Sequence, residues 1–236
     1  MVKEVDFDGF SHGVVDFFQD LEKNNDKGWF EQNKEAFDRL VMSPARAFVS
    51  AMGERLRSIS PAIVADPRVN KSIFRIYRDT RFSLDKSPYK THLGIFFWEG
   101  RRRKMECSGF YFHLEPPRLM LAAGIYMLPK SSIHGFRTAV VDPGSGDELA
   151  EVRRKIAAAG RYVVGGEHYR RLPPGYDPAH PNADLLLHNG LYASLDEPVP
   201  GVLFSPRLVD HCHWIFADLA PLHHWLVTFL EGGQDR

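Results

Sequence analysis

A chain of 236 residues, 44% hydrophobic and 25% charged, carries enough apolar material for a buried core, which excludes a disordered chain or one dependent on disulfides or metal staples. Thirty lysines and arginines cancel thirty aspartates and glutamates, so the overall charge selects no polyanionic partner. The two cysteines, Cys107 and Cys212, form neither a disulfide framework nor a CxxC metal pair, which fits a reducing compartment.

The segment Met1 to Gly13 is acidic and lacks the basic and apolar regions of a secretory signal. The longest apolar run, Leu119 to Leu128, is about half of the roughly 20 residues a membrane helix needs. The expectation is a cytoplasmic protein with no membrane partner. A first helix is predicted from Val14, Phe17, Phe18 and Leu21 at helical spacing, with Ser11 as its cap. A second follows the turn residues Asn24, Asn25 and Asp26, with Phe30, Phe37, Leu40 and Val41 as its apolar stripe. A third opens at Ser43-Pro44 and buries Phe48, Val49, Met52 and Leu56.

The period then changes from helical to alternating. Ser72 to Arg78 reads as a strand, with Ile73, Arg75 and Tyr77 on one face and Phe74, Ile76 and Arg78 on the other. A loop through Asp85-Lys86-Ser87-Pro88 leads to a strand from Thr91 to Trp98. Cys107 to Leu114 and Leu119 to Leu128 flank Glu115-Pro116-Pro117-Arg118 and read as a hairpin with a longer loop. Glu148 to Ala159 is predicted helical, stopping at Gly160, and Leu172 to Pro181 is a Pro/Gly/Asp-rich loop. Ser205-Pro206 starts a long helix to about Leu230, with a break or kink expected at Pro221. The resulting fold class is α+β: an antiparallel sheet from the central third packed against N-terminal and C-terminal helices, in a single domain over residues 1–236.

Chemistry concentrates between Ile73 and Lys90. Lys71 to Lys104 holds ten lysines and arginines against Asp79, Asp85 and Glu99, an electropositive region in a neutral chain. Arg75, Arg78 and Arg81 each offer a planar fork of donors suited to phosphate or carboxylate. Tyr77 and Tyr89 are candidates to stack on a ligand, Lys86 lies in a turn whose N–H groups face an anion, and Asp79 is the first candidate for acid/base work. On the second helix Asn33 follows Trp29 by one turn and Lys34 follows Phe30, so Trp29, Asn33 and Lys34 are expected to line the floor of the same pocket. The expected partner is an anionic small molecule, with the cofactor and any enzymatic activity left open. Two other readings stand beside it. Asp79 and Asp85 pair with the arginines and merely stitch a strand end to a loop, or the basic stretch, with Arg101-Arg102-Arg103-Lys104 at its end, contacts nucleic acid or an acidic protein.

Several motifs are excluded. Tyr77-Arg78-Asp79 has no Asn five residues on and no DFG or glycine-rich loop, so it is no kinase catalytic loop. Gly144-Ser145-Gly146 precedes the acidic Asp147 and Glu148, which repel an anion. Neither GxSxG nor HExxH occurs, and Cys212 lacks a nucleophile motif. His211 and His213 point apart on a helix, as do His223 and His224, so no metal site is expected there. Asp177 and His180 read as a turn residue and a surface histidine, with a base and its orienting carboxylate as the alternative.

Asn24-Asn25, Trp29-Phe30 with Asn33-Lys34, Arg78-Asp79-x-Arg81-Phe82-Ser83 and Asp85-Lys86-Ser87-Pro88-Tyr89-Lys90 together resemble the family known as domain of unknown function 2461. Weaker matches are Gly124-x-Tyr126 with Pro129, Arg137, and Pro174-Gly175-Tyr176-Asp177 followed by His180-Pro181. The resemblance runs from about Phe7 to Leu230. It implies a single α+β domain and brings no activity, cofactor or catalytic residue with it.

Overall fold

Apolar residues spaced three and four apart wind the first third of the chain into helices, as the computed structural model, which describes residues 6–232, records. Part of the acidic segment Met1 to Gly13 lies outside the described residues. Helix α1 (Gly13–Lys23) buries Val14, Phe17, Phe18 and Leu21. Ser11 does not cap it: His12 at the cap position is already helical with no side-chain bond, and Ser11 offers only its carbonyl, to the Val14 N–H. Helix α2 (Lys27–Gln32) is capped by Asp26, whose carboxylate accepts from the Trp29 N–H.

Helix α3 (Lys34–Phe37), a wide π turn over Asp38–Met42 and helix α4 (Ser43–Leu56) follow without a loop. Ser43-Pro44 therefore does not open a separate helix, because Met42 before it is already helical. Pro44 has no N–H, and in a regular α-turn its ring presses on the carbonyl four residues back. The π turn, closed by the Ser43 N–H on the Asp38 carbonyl, relieves that conflict.

Strands β1 (Leu93–Glu99), β2 (Ser108–Glu115), β3 (Arg118–Ile125), β4 (Val163–Glu167) and β5 (His188–Pro198) form one antiparallel sheet in the order β1-β2-β3-β5-β4. Helices precede and follow it in the chain, and the fold is α+β. The β2–β3 connection is tighter than expected, a Pro116-Pro117 turn with a cis peptide bond between the prolines. Ser72 to Arg78 is not a continuous strand. Ile73 bridges Ile95 and Tyr77 bridges Tyr89 in isolation. Pro88 accepts from the Arg78 N–H but has no N–H to return, so the ladder stops. Helices α5 (Ile133–Val141), α6 (Ser145–Ala158) and α7 (Leu208–Gly232) complete the chain, and α7 runs through the exposed Pro221 without ending.

The chain divides into two compact units, Met1–Phe97 with Tyr111–Leu121 and Asp196–Ile215, and Trp98–Phe110 with Ala122–Leu195 and Phe216–Arg236. In the first, Phe48 of α4 packs on Phe97 of β1 and Phe112 of β2, with ring centroids 6.4 and 4.9 Å away. In the second, Phe110 of β2 meets Phe216 of α7 at 5.1 Å. Each ring so buried contributes about 1.5–3 kcal/mol. Helix thus covers sheet in each unit. Among the described residues no helix is long and apolar enough to cross a membrane.

Candidate functional site

The segment from Arg75 to Lys90 is an irregular loop stitched by its own side chains. Arg78 pairs with Asp85, which also accepts from the Ser87 N–H at 2.9 Å and hydroxyl at 2.6 Å. Arg81 grips Asp79 through two bonds of 2.9 and 2.7 Å, and Lys86 donates to the Thr80 carbonyl at 2.9 Å. The Ser87 bonds, then Arg78, hold the Asp85 carboxyl far below its ordinary range. Arg81 holds Asp79 at about 2. Asp79 is thus a committed carboxylate at neutral pH, poorly suited to trading protons.

The cations that remain are Arg75 and Lys90. Arg75 is exposed and acts on Asp79 only through its field, Asp79 being held by Arg81. Lys90 is half-buried with its ammonium 5.6 Å over the Phe74 ring. Burial, and then the positive charge of Arg75, lower its pKa. The two tyrosines differ sharply. Tyr89 is 2% exposed and stacks on Phe30 at 4.1 Å, whereas Tyr77, 5.3 Å from Tyr89, is 49% exposed. Trp29 is half-buried against Phe17, the Asn33 amide donates to the Trp29 carbonyl at 2.9 Å, and Lys34 is exposed. Asn33 is thereby satisfied within its own helical run.

Beyond Lys90 the chain enters a polar network that the sequence reading did not assemble. Tyr111, His113 and Glu115 alternate along β2, opposite the buried Phe110, Phe112 and Leu114. His92 lies just before β1, the neighbour of β2. The Tyr111 hydroxyl is 2.9 Å from His113 Nδ1, and His113 Nε2 is 3.3 Å from Glu115 Oε2. His92 Nδ1 stands 3.7 Å from Glu115 Oε1, and the two imidazole rings are 4.3 Å apart. Thr91 donates its hydroxyl to Glu115 at 3.3 Å. Burial, then the adjacent His113, push His92 down to about 4, and burial pushes Tyr111 up to about 12. At neutral pH His92 is an uncharged donor of a lone pair.

The network opens on a cleft of about 400 Å³, lined on one side by Thr91, His113 and Glu115 and on the other by Arg118, Met120 and Asp196, with Phe18, Gln19 and Glu22 of α1 above. Arg118 is held by Asp196 at 2.7 Å. The family described as "Conserved hypothetical protein (DUF2461)" matches residues 13–225, most of the chain. The chain belongs to the DUF2461 family. A comparison with curated proteins gives no match.

The DUF2461 match takes in both the Arg75 to Lys90 loop and the His92, His113 and Glu115 network. Other candidates have local roles. His211 donates from Nε2 to Glu197 at 2.7 Å, and His213 meets Ser58 at 3.0 Å, so these histidines do point apart. Asp177 accepts from the Ala179 N–H and His180 Nδ1 from the Asn182 N–H, both as turn residues. In the basic run, Arg102 turns in to the Leu230 carbonyl at 3.1 Å, while Arg101 and Arg103, the other two of its three arginines, lie at exposed positions.

Proposed function

We propose that this DUF2461 protein binds an anionic small molecule, phosphate- or carboxylate-bearing, beside the motif from Arg75 to Lys90. One observation carries the reading: aspartates take Arg78 and Arg81, while Arg75, which reaches Asp79 only through its field, and Lys90 act on each other as like charges. An anion between two such cations removes the repulsion and gains charge-assisted hydrogen bonds from both. Tyr77, which with Phe82 is one of two exposed aromatics of the loop, offers a ring for an organic ligand's body. The aspartate-bound arginines act in this reading as scaffold, holding the loop open at both ends.

The test is a thermal-shift and calorimetric screen of chelator-treated protein with inorganic phosphate, sulfate, pyrophosphate, nucleotides, sugar phosphates and dicarboxylates. Binding of at least one class is expected to raise the melting temperature, by an amount equivalent to about 2.7 kcal/mol at a hundred times Kd. The double variant Arg75→Ala with Lys90→Met abolishes the shift and Arg81→Ala keeps it. No shift with any class overturns the reading. Salt-dependent retention on nucleic acid that survives the double variant and falls when Arg101 to Lys104 are neutralised would instead favour an interaction module.

A further inference from the structure

We propose that His92, His113 and Glu115 hold a divalent first-row transition ion at the wall of the cleft, with Tyr111 as the outer partner of His113. The proposal goes beyond the anion-binding reading and stands without it, since none of its ligands belongs to the Arg75–Lys90 pair.

Convergence of three ligand residues on one point is the main argument. One ligand atom from each of the three residues lies within 4.8 Å of the others. His92 Nδ1 and Glu115 Oε1, at 3.7 Å, are beyond a hydrogen bond, and the two imidazoles face each other at 4.3 Å. An ion about 2.1 Å from each ligand in tetrahedral geometry sets the ligand atoms about 3.4 Å apart. The His113 Nε2–Glu115 Oε2 separation of 3.3 Å already meets this. The widest pair, no more than 4.8 Å apart, needs a shift of about 1.4 Å at most, which small side-chain rotations shared among the three ligands supply.

The surroundings match what metal-ligating histidines need. Once His113 Nε2 gives its lone pair to the ion, Nδ1 carries the hydrogen and donates to the Tyr111 oxygen, now 2.9 Å away. That fixes the tautomer and aims the ring. Thr91 holds Glu115 from its other flank. Gly94 of β1 makes room for this arrangement, since a Cβ there would stand 2.8 Å from the Tyr111 hydroxyl oxygen. Two imidazoles and one carboxylate suit zinc, iron, cobalt or manganese. Three protein donors leave coordination positions facing the cleft, which has space for water or the oxygen of a small ligand.

The experiment strips the full-length protein with chelator and titrates it with Co²⁺ and Zn²⁺, reading visible absorption for cobalt, calorimetry for zinc and elemental analysis for stoichiometry. One equivalent is expected, with cobalt bands of a nitrogen- and oxygen-ligated ion. His92→Gln and Glu115→Gln should each weaken binding by at least 10-fold. Tyr111→Phe should weaken it by about 10–100-fold while keeping the stoichiometry, and His180→Gln should change nothing. Circular dichroism confirms that each variant is folded. Stripped wild-type protein that takes up no equivalent of either ion overturns the proposal, whatever the variants do. So does uptake that His92→Gln and Glu115→Gln leave unchanged. Repeating the titration on Arg75→Ala separates the two proposals, because loss of anion binding there leaves metal uptake intact.

Discussion

The side-chain amide of Asn25 clasps the backbone of Tyr89, donating from Nδ2 to the Tyr89 carbonyl and accepting from the Tyr89 N–H at Oδ1, each at 3.0 Å. An asparagine thus plays the part of a neighbouring strand and pins the end of the motif to the turn before α2. Replacing it by alanine strands one donor and one acceptor of partly buried backbone. Asn25→Ala is expected to cost about 1–3 kcal/mol in denaturant unfolding. Asn25→Asp, which keeps the acceptor but sets a carboxylate oxygen against the Tyr89 carbonyl, should cost at least as much. A stability change within error for Asn25→Ala would show that water replaces the clasp.

Gly124 of β3 is a second position where sequence identity is dictated by space. Its φ is +129° and an added Cβ would stand 2.3 Å from the Leu191 carbonyl oxygen of β5. Gly124→Ala should therefore destabilise by about 2 kcal/mol or more through backbone strain and clash together. Gly160, at φ +69° with no atom near its missing Cβ, supplies the control. Gly160→Ala should cost about 1 kcal/mol. Equal melting temperatures for the two variants would contradict this ranking.

Burial lowers the pKa of His188, His213 and His223 below the ordinary histidine value. Such groups bind protons more readily unfolded than folded. Their contribution is fully present above about pH 6.5 and is lost as pH falls from there through the lowered folded values. Unfolding free energy measured from pH 7.5 to 5 should fall steadily on the acid side. His223, fully buried between Ser108 and Glu99, and His92, held at about 4, both contribute, so replacing both by glutamine should flatten the slope more than either change alone. A slope identical to wild type would assign the acid sensitivity elsewhere.

Lys90 disfavours positive charge on His92, so the proposed anion and metal sites share one electrostatic field. A bound anion offsets Lys90 and should tighten metal binding severalfold, and by linkage the metal should tighten anion binding by the same factor. Calorimetric titration of Co²⁺ with and without saturating sulfate, and the reverse, measures both factors. Factors of one in both titrations would show that the two sites are not coupled.

Much of the fold was legible because strong periodicity survives folding. The stripes of α1 and α4 and the apolar runs of β1, β2 and β3 are visible in the chain and buried in the structure. Strand β4 was missed because its Gly165-Gly166 pair reads as a turn. The missing side chain at Gly165 in fact makes room for the Tyr192 ring, 2.5 Å from where a Cβ would be. Strand β5 was missed because Asn189-Gly190 and Asp196-Glu197-Pro198 look like its boundaries rather than its contents.

The site was legible only in part. Charge density marked the arginine loop, yet which aspartate meets which arginine depends on loop geometry that composition does not carry. The alternation Tyr111-x-His113-x-Glu115 was a signal in plain view for one polar strand face. Its completion by His92 needed the pairing of β1 with β2, a tertiary fact.

The wide turn at Asp38–Met42 spends one more residue per revolution than the helices on either side of it. The apolar faces before and after it therefore keep independent phases, like two rods joined by a slipped thread. Removing a single residue there would tighten the revolution, drive the Pro44 ring against the oxygen behind it and turn Val41 and Met42, now buried, away from their neighbours. Such a deletion should lower the melting temperature far more than one in the exposed loop positions 177–179, as differential scanning calorimetry of the two deletants would record.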